Sequence, residues 1–186
     1  MPVLAAEPNL YPANLLETGL PPGPDSQWWV LHTKPRQEKA LARQMLEQQI
    51  PFYLPIIQRR FRLRGRNMTS HVALFPGYLF LLGNREQRVG ALTTNRVVRA
   101  LPVANQAGLW HDLQQVQRLL ASGAPITPED RLTPGLAVEI RTGPLAGLKG
   151  KILRTASGRR FVVEVDFIQR GASVLLDDFC LSSIEE

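Results

Sequence analysis

The spacing of apolar positions changes several times along this chain, and each change marks a candidate element. Trp28 to His32 is an aromatic and β-branched run that predicts a strand. Lys34-Pro35 closes it and opens a helix expected from Pro35 to Gln49. Within that helix Leu41, Ala42, Met45 and Leu46 recur at helical spacing, while Arg36, Lys39, Arg43 and Glu47 lie mainly toward water. The runs Phe52 to Ile57 and Val72 to Leu82 are both strand-like. They flank an arginine-rich stretch with Gly65 near its middle, which predicts a hairpin. Arg85 to Thr93 is weakly helical and Val97 to Val103 returns to strand character. Leu109 to Ala121 then predicts a helix with Trp110, Leu113, Val116 and Leu120 on one face, stopped at Ser122-Gly123.

From Ser122 to Pro134 the pattern gives way to proline and polar residues, which reads as a linker. Five short strands are expected beyond it: Ala137 to Arg141, Lys151 to Thr155, Arg160 to Gln169, Ser173 to Leu176 and Phe179 to Leu181. Turns at Gly143-Pro144, Ser157-Gly158 and Gly171 separate most of them. Strands so short favour a small barrel, because closure removes exposed edges. The first 25 residues are proline-rich and predict a disordered leader. The expected organisation is therefore α+β. A leader (1–25) precedes an antiparallel sheet with helices packed on it (26–122), then a linker (123–133) and an all-β unit (134–186).

Charge sharpens this picture. The net charge of +6 is uneven, since residues 34 to 121 hold 14 Lys and Arg against 4 Asp and Glu, whereas residues 122 to 186 hold 8 against 9. The middle segment thus carries a field suited to a polyanionic partner. Other chemistry is missing. One cysteine, Cys180, allows no internal disulfide and reads as a small buried hydrophobe. His32, His71 and His111 are scattered, so neither a Cys/His zinc site nor a catalytic constellation is expected, and no cofactor. No apolar run approaches a membrane span, and the N-terminus lacks the basic start of an export signal, so a cytoplasmic location is expected.

Three stretches together resemble the NusG/RfaH family. The first is Trp28-Trp29-Val30-Leu31 with the helix that follows. The second is Leu74-Phe75-Pro76-Gly77-Tyr78-Leu79-Phe80, similar to the Phe-Pro-Gly-Tyr strand of that family's N-terminal (NGN) domain. The third is Gly135 to Ile140 followed by Gly143-Pro144-Leu145-Ala146-Gly147-Leu148-Lys149-Gly150-Lys151-Ile152, similar to its KOW motif. The resemblance covers about residues 26 to 186. It implies an NGN-like domain, an SH3-like KOW barrel, and a non-enzymatic, monomeric factor in transcription elongation, termination or antitermination that binds RNA polymerase.

Site residues follow from the resemblance. Val30, His32, Phe75, Tyr78 and Phe80 match the surface that meets the clamp helices of the largest polymerase subunit. Alternation puts Val30 with His32 and Tyr78 with Phe80, whereas Phe75 joins them only if Pro76-Gly77 distorts the strand. Arg85, Glu86, Gln87 and Arg88 fall where relatives touch a loop of the second-largest subunit, although the pattern here departs from the Thr-rich one of RfaH. Phe167, Ile168 and Arg170 match the place where NusG-like barrels meet Rho or a ribosomal small-subunit protein, with Gln169 where many relatives have glycine.

The residues themselves single out Arg59, Arg60, Arg62, Arg64 and Arg66. Alternation puts Arg60, Arg62 and Arg64 on one face, opposite Phe61 and Leu63, as a ridge of guanidinium groups able to grip phosphates or carboxylates; beside a polymerase the expected contact is upstream or non-template DNA. The motif form and this arm look closer to an operon-specific RfaH-like paralogue, while the Val-rich C-terminal strands favour a permanent barrel over a helical fold switch. A ribosome- or RNA-associated KOW protein is the alternative reading.

Overall fold

The structure is a computed structural model that describes residues 7–18, 25–131, 133–156, 158–176 and 181–183. The chain divides into two compact units, Met1–Ala107 and Gly108–Glu186. Cys180, Phe179 and Ser157, each assigned a place by the sequence, lie outside the described residues.

In the first unit an antiparallel five-stranded sheet runs in the order β1-β3-β6-β2-β7. Its strands are β1 (Leu10–Tyr11), β2 (Gln27–Thr33), β3 (Phe52–Tyr53), β6 (Tyr78–Gly83) and β7 (Val97–Pro102), while β4 (Ile56–Leu63) and β5 (Arg66–Ala73) form a separate two-stranded ribbon. Alternation along β2 and β6 decides what each sheet face holds. Trp29, Leu31, Leu79 and Leu81 join Leu41, Ala42 and Met45 of α1 (Glu38–Glu47) and Ala91 of α2 (Arg85–Thr93) in one buried cluster. The opposite parity places Val30 directly across from Phe80 and His32 across from Tyr78.

Helix α1 begins later than the sequence predicts, because Arg36 takes φ 60°, in the left-handed region, and delays helical geometry to Glu38. At its other end Gln49 (φ 53°) closes a Schellman turn, with Ile50 N–H donating to Met45 O at 2.9 Å. Leu46, expected in the core, is exposed. Helix α2 has the predicted limits. Asn84 and Gln87 cap it reciprocally, each side chain accepting the other's backbone N–H at 2.9 Å.

Part of the expected leader is ordered. Leu10 and Tyr11 pair with Tyr53 and Phe52, Asn9 O accepts Leu54 N–H at 2.7 Å, and Leu15 and Leu16 are buried. A two-residue strand between Pro8 and Pro12 offers no periodicity to read. Its role is to cover the β3 edge.

The second unit contains α3 (Gln106–Ala121) from Gly108 onward and an antiparallel six-stranded sheet ordered β13-β9-β10-β11-β12-β8. The strands are β8 (Thr127–Glu129), β9 (Leu136–Ile140), β10 (Lys149–Thr155), β11 (Gly158–Val165), β12 (Arg170–Leu175) and β13 (Leu181–Ser183). This α+β unit followed by an all-β sheet is the fold class the sequence indicates. Two details differ. The buried face of α3 is Leu109, Leu113, Gln115, Val116 and Leu119, with Trp110 and Leu120 only half-buried. Residues Thr127–Glu129, inside the stretch expected as linker, pair with Ser173, Ala172 and Gly171. Pro128 is tolerated there because β8 is an edge strand.

Candidate functional site

The Phe75-Pro76-Gly77-Tyr78 segment is a tight turn. Tyr78 N–H donates to Phe75 O at 3.1 Å, and Gly77 sits at φ 85°, the geometry of a type II turn with proline at its second position and glycine at its third. Both backbone groups of Gly77 are tied down: its N–H donates to Glu38 Oε1 at 2.6 Å, and its O accepts Thr33 N–H at 2.9 Å. The turn thereby fastens β6 to the start of α1 and the end of β2. It also reverses the parity of Phe75, whose ring meets Phe80 edge-on at 6.4 Å.

Five residues were expected to form one docking surface, and this requires a correction. Val30, Phe75 and Phe80 are interior side chains, with Phe80 also tilted against Tyr53 at 6.5 Å. Only His32, exposed, and Tyr78, half-buried, reach the surface, and their rings stack at 5.5 Å. Aromatic mass at the centre of the sheet is needed for packing.

Beside this pair lies a groove of about 690 Å³ lined among others by Thr33, Arg36, Lys39, His71, Pro76 and Val98. Its lining is mainly apolar, with the cations Arg36 and Lys39 and the carboxylate of Glu38 among it. Thr33 is 2% exposed, and its hydroxyl finds no hydrogen-bond partner among the described residues. No motif marks this groove in the sequence, since its walls come from β2, α1, β5, β7 and the Pro76-Gly77 turn.

The arginine ribbon forms as expected, with one change. Arg64 (φ 47°) and Gly65 (φ 77°) make the two-residue hairpin turn, so Arg64 leaves the strand alternation. Cross-strand pairs Arg60 with Thr69 and Arg62 with Asn67 define one fully polar face. Arg59 opposite Ser70, Phe61 opposite Met68 and Leu63 opposite Arg66 define the other.

At the start of α2 the four expected contact residues separate. Arg85 and Glu86 are exposed, but Gln87 is used by the helix cap, and the Arg88 guanidinium lies 4.6 Å over the Trp29 ring. Gln87 and Arg88 therefore serve the fold.

In the second unit, a 3-10 turn at Asp166–Ile168 turns Phe167 outward and Ile168 inward. Gln169 takes φ 52°, which accounts for glycine's suitability at this place, and its amide donates to the Asp166 side chain at 2.8 Å. One polar face of α3 meets the sheet by three hydrogen bonds. Asp166 N–H donates to Asp112 Oδ2 at 3.1 Å, Gln115 Nε2 to Lys149 O at 3.1 Å, and Arg118 Nη2 to Ala146 O at 2.7 Å. Burial pushes the Asp112 carboxyl up to about 6, against the lowering effect of the Asp166 N–H and His111; Asp166 and Glu164 add to the rise.

Among the described residues no group of three His, Cys, Asp or Glu side chains is placed to hold a metal, and no helix is long and apolar enough to cross a membrane. A comparison with curated proteins finds no match. A comparison with protein families matches residues 26–127 to NusG, described as transcription termination factor nusG. That span takes in the capped α2, the Pro76-Gly77 turn and the whole arginine ribbon, more than half of the sequence, and the chain belongs to the NusG family of transcription factors.

Proposed function

We propose that this protein binds RNA polymerase during elongation and modulates pausing and termination, as an operon-specific antitermination factor. The observation that carries the reading is the family match together with a protruding ribbon whose 18 residues, Ile56 to Ala73, hold five arginines and no acid. In this reading the clamp helices of the largest subunit meet the His32–Tyr78 pair, and the loop of the second-largest subunit meets Arg85 and Glu86. Arg60 and Arg62 grip phosphates of upstream or non-template DNA from the polar face, aided by Arg64 at the tip. The cations Arg36 and Lys39 extend the basic track past the groove. Phe167, with Ile168 beneath it and Arg170 alongside, is the contact of a KOW barrel with Rho or a ribosomal small-subunit protein.

Bridging both sides of the nucleic-acid channel would disfavour the open, paused enzyme through differential binding alone. The test is comigration with purified elongation complexes at low ionic strength, followed by a salt titration. Replacing all five ribbon arginines by glutamine should lower the salt slope by about 0.9 for each lost duplex phosphate contact. Unchanged affinity and slope reject the DNA contact, and absence of comigration rejects the polymerase reading altogether. Transcription on a pausing template, with and without the protein, fixes the sign of the effect.

A further inference from the structure

The ribbon's second face is not explained by phosphate binding. Phe61 (41% exposed), Leu63 (54%) and Met68 (44%) stand together on it, with Phe61 directly opposite Met68. Arg59 and Arg66 share that face and bracket the apolar strip, since Arg59 precedes Phe61 by two residues and Arg66 lies across from Leu63. A two-stranded ribbon is marginal by itself in water and gains stability when an apolar face is covered.

We propose that this face is a docking strip for an acidic amphipathic helix of a protein partner. Three features select that occupant. The ribbon contains no acid, and cations bracket the strip, so a complementary surface carries carboxylates at its margins and apolar side chains at its centre. Two of the three exposed side chains are aliphatic or thioether, which repack readily against an apolar helix, whereas a platform for stacked bases is built from aromatic faces. The spacing also matches. Phe61 and Leu63, two residues apart on a strand, are separated by roughly 6.8 Å, close to the roughly 6 Å between positions i and i+4 of a helix lying alongside. The polar and apolar faces of one ribbon then serve two partners at once.

The test uses the full chain and three labelled probes. One is an 18-residue helical peptide with a leucine stripe at i, i+3, i+4 and i+7 flanked by glutamates; the second is its isomer with the leucines scattered at equal charge; the third is an oligothymidylate. The striped peptide is expected to bind at least ten-fold more tightly than the isomer. The triple variant F61T/L63T/M68T should abolish that preference, with oligothymidylate affinity held within two-fold. Because these side chains are exposed and threonine suits a strand, the ribbon should persist; Leu63→Thr alone, expected to cost about three-fold, serves if the triple variant does not fold. Equal affinity for both peptides, striped-peptide binding unaffected by the substitutions, or a loss of oligothymidylate binding in their place would each overturn the assignment.

Discussion

Glu38 offers a direct measure of how the turn beside the candidate docking pair is held. The residue is buried, at 8% relative exposure, and its carboxylate accepts the Gly77 N–H at 2.6 Å. A hydrogen bond to a charged acceptor contributes about 1.5–3 kcal/mol, and an orphaned buried donor costs about 1–3 kcal/mol. Glu38→Ala should therefore destabilise the first unit by about 2 kcal/mol. With a urea dependence of about 1–3 kcal/mol per molar, that moves the unfolding midpoint down by roughly 1 M. Glu38→Gln retains an oxygen acceptor without its charge and should lose about half as much. Amide exchange at Gly77 reads the bond itself, and its protection should fall in the order wild type, Gln, Ala. Polymerase affinity should follow the same order, since the turn carries Tyr78 against His32. A Glu38→Ala protein with wild-type urea midpoint and unchanged Gly77 exchange would refute the claim that this carboxylate anchors the turn.

Two glycines of the Gly143 to Ile152 stretch should respond differently to alanine. A Cβ at Gly150 would lie 2.3 Å from Val162 O and 2.8 Å from the Phe161 ring, so Gly150→Ala should cost about 3 kcal/mol in a thermal melt of the second unit. Gly147, at φ 81° with only the flexible Arg118 guanidinium nearby, should cost about 1 kcal/mol. Asp112 titrates near 6, above the usual 3.8, so the folded unit binds more protons than the unfolded one between those values and its stability falls as pH rises from about 4 to about 6. Asp112→Asn should remove that slope in urea melts run across the range, gaining on wild type up to about pH 6 and keeping a constant lead above it. Arg88→Ala should lower stability by about 1 kcal/mol through the Trp29 contact, whereas Arg85→Ala should leave it within 0.5 kcal/mol and show any effect in polymerase binding.

Where the sequence was readable, local rules and tertiary packing agreed. Helix α2 matched its predicted limits because Asn84 and Gln87 form a capping box, and the hairpin was legible from Gly65 near the middle of the arginine-rich stretch. Its strands, however, are that stretch itself and overlap the runs Phe52 to Ile57 and Val72 to Leu82 only at their inner ends. The Phe75 parity problem was visible in the pattern, and the Pro76-Gly77 turn resolves it. What escaped depended on partners distant in sequence. Strand β1 exists because β3 needs an edge covered, the groove near Thr33 is assembled from five separate elements, and the burial of Val30 and Phe80 follows from sheet position. The role of Gln87 and Arg88 in the fold was hidden for the same reason: each is polar and looks free until its cap or ring partner is placed beside it.

Strand β8 has a practical bearing on how this chain can be divided. Glu129 accepts a hydrogen bond from Ser173 and lies 3.7 Å from Arg160, so the segment Thr127–Glu129 both shields the outer rim of β12 and neutralises a cation there. A fragment begun at residue 134, where composition alone would place the cut, would lack that segment and present β12 as a naked hydrogen-bonding template. Such fragments are prone to self-association through strand exchange, so isolated C-terminal pieces should start by Gly108, keeping both α3 and β8, if they are to stay monodisperse.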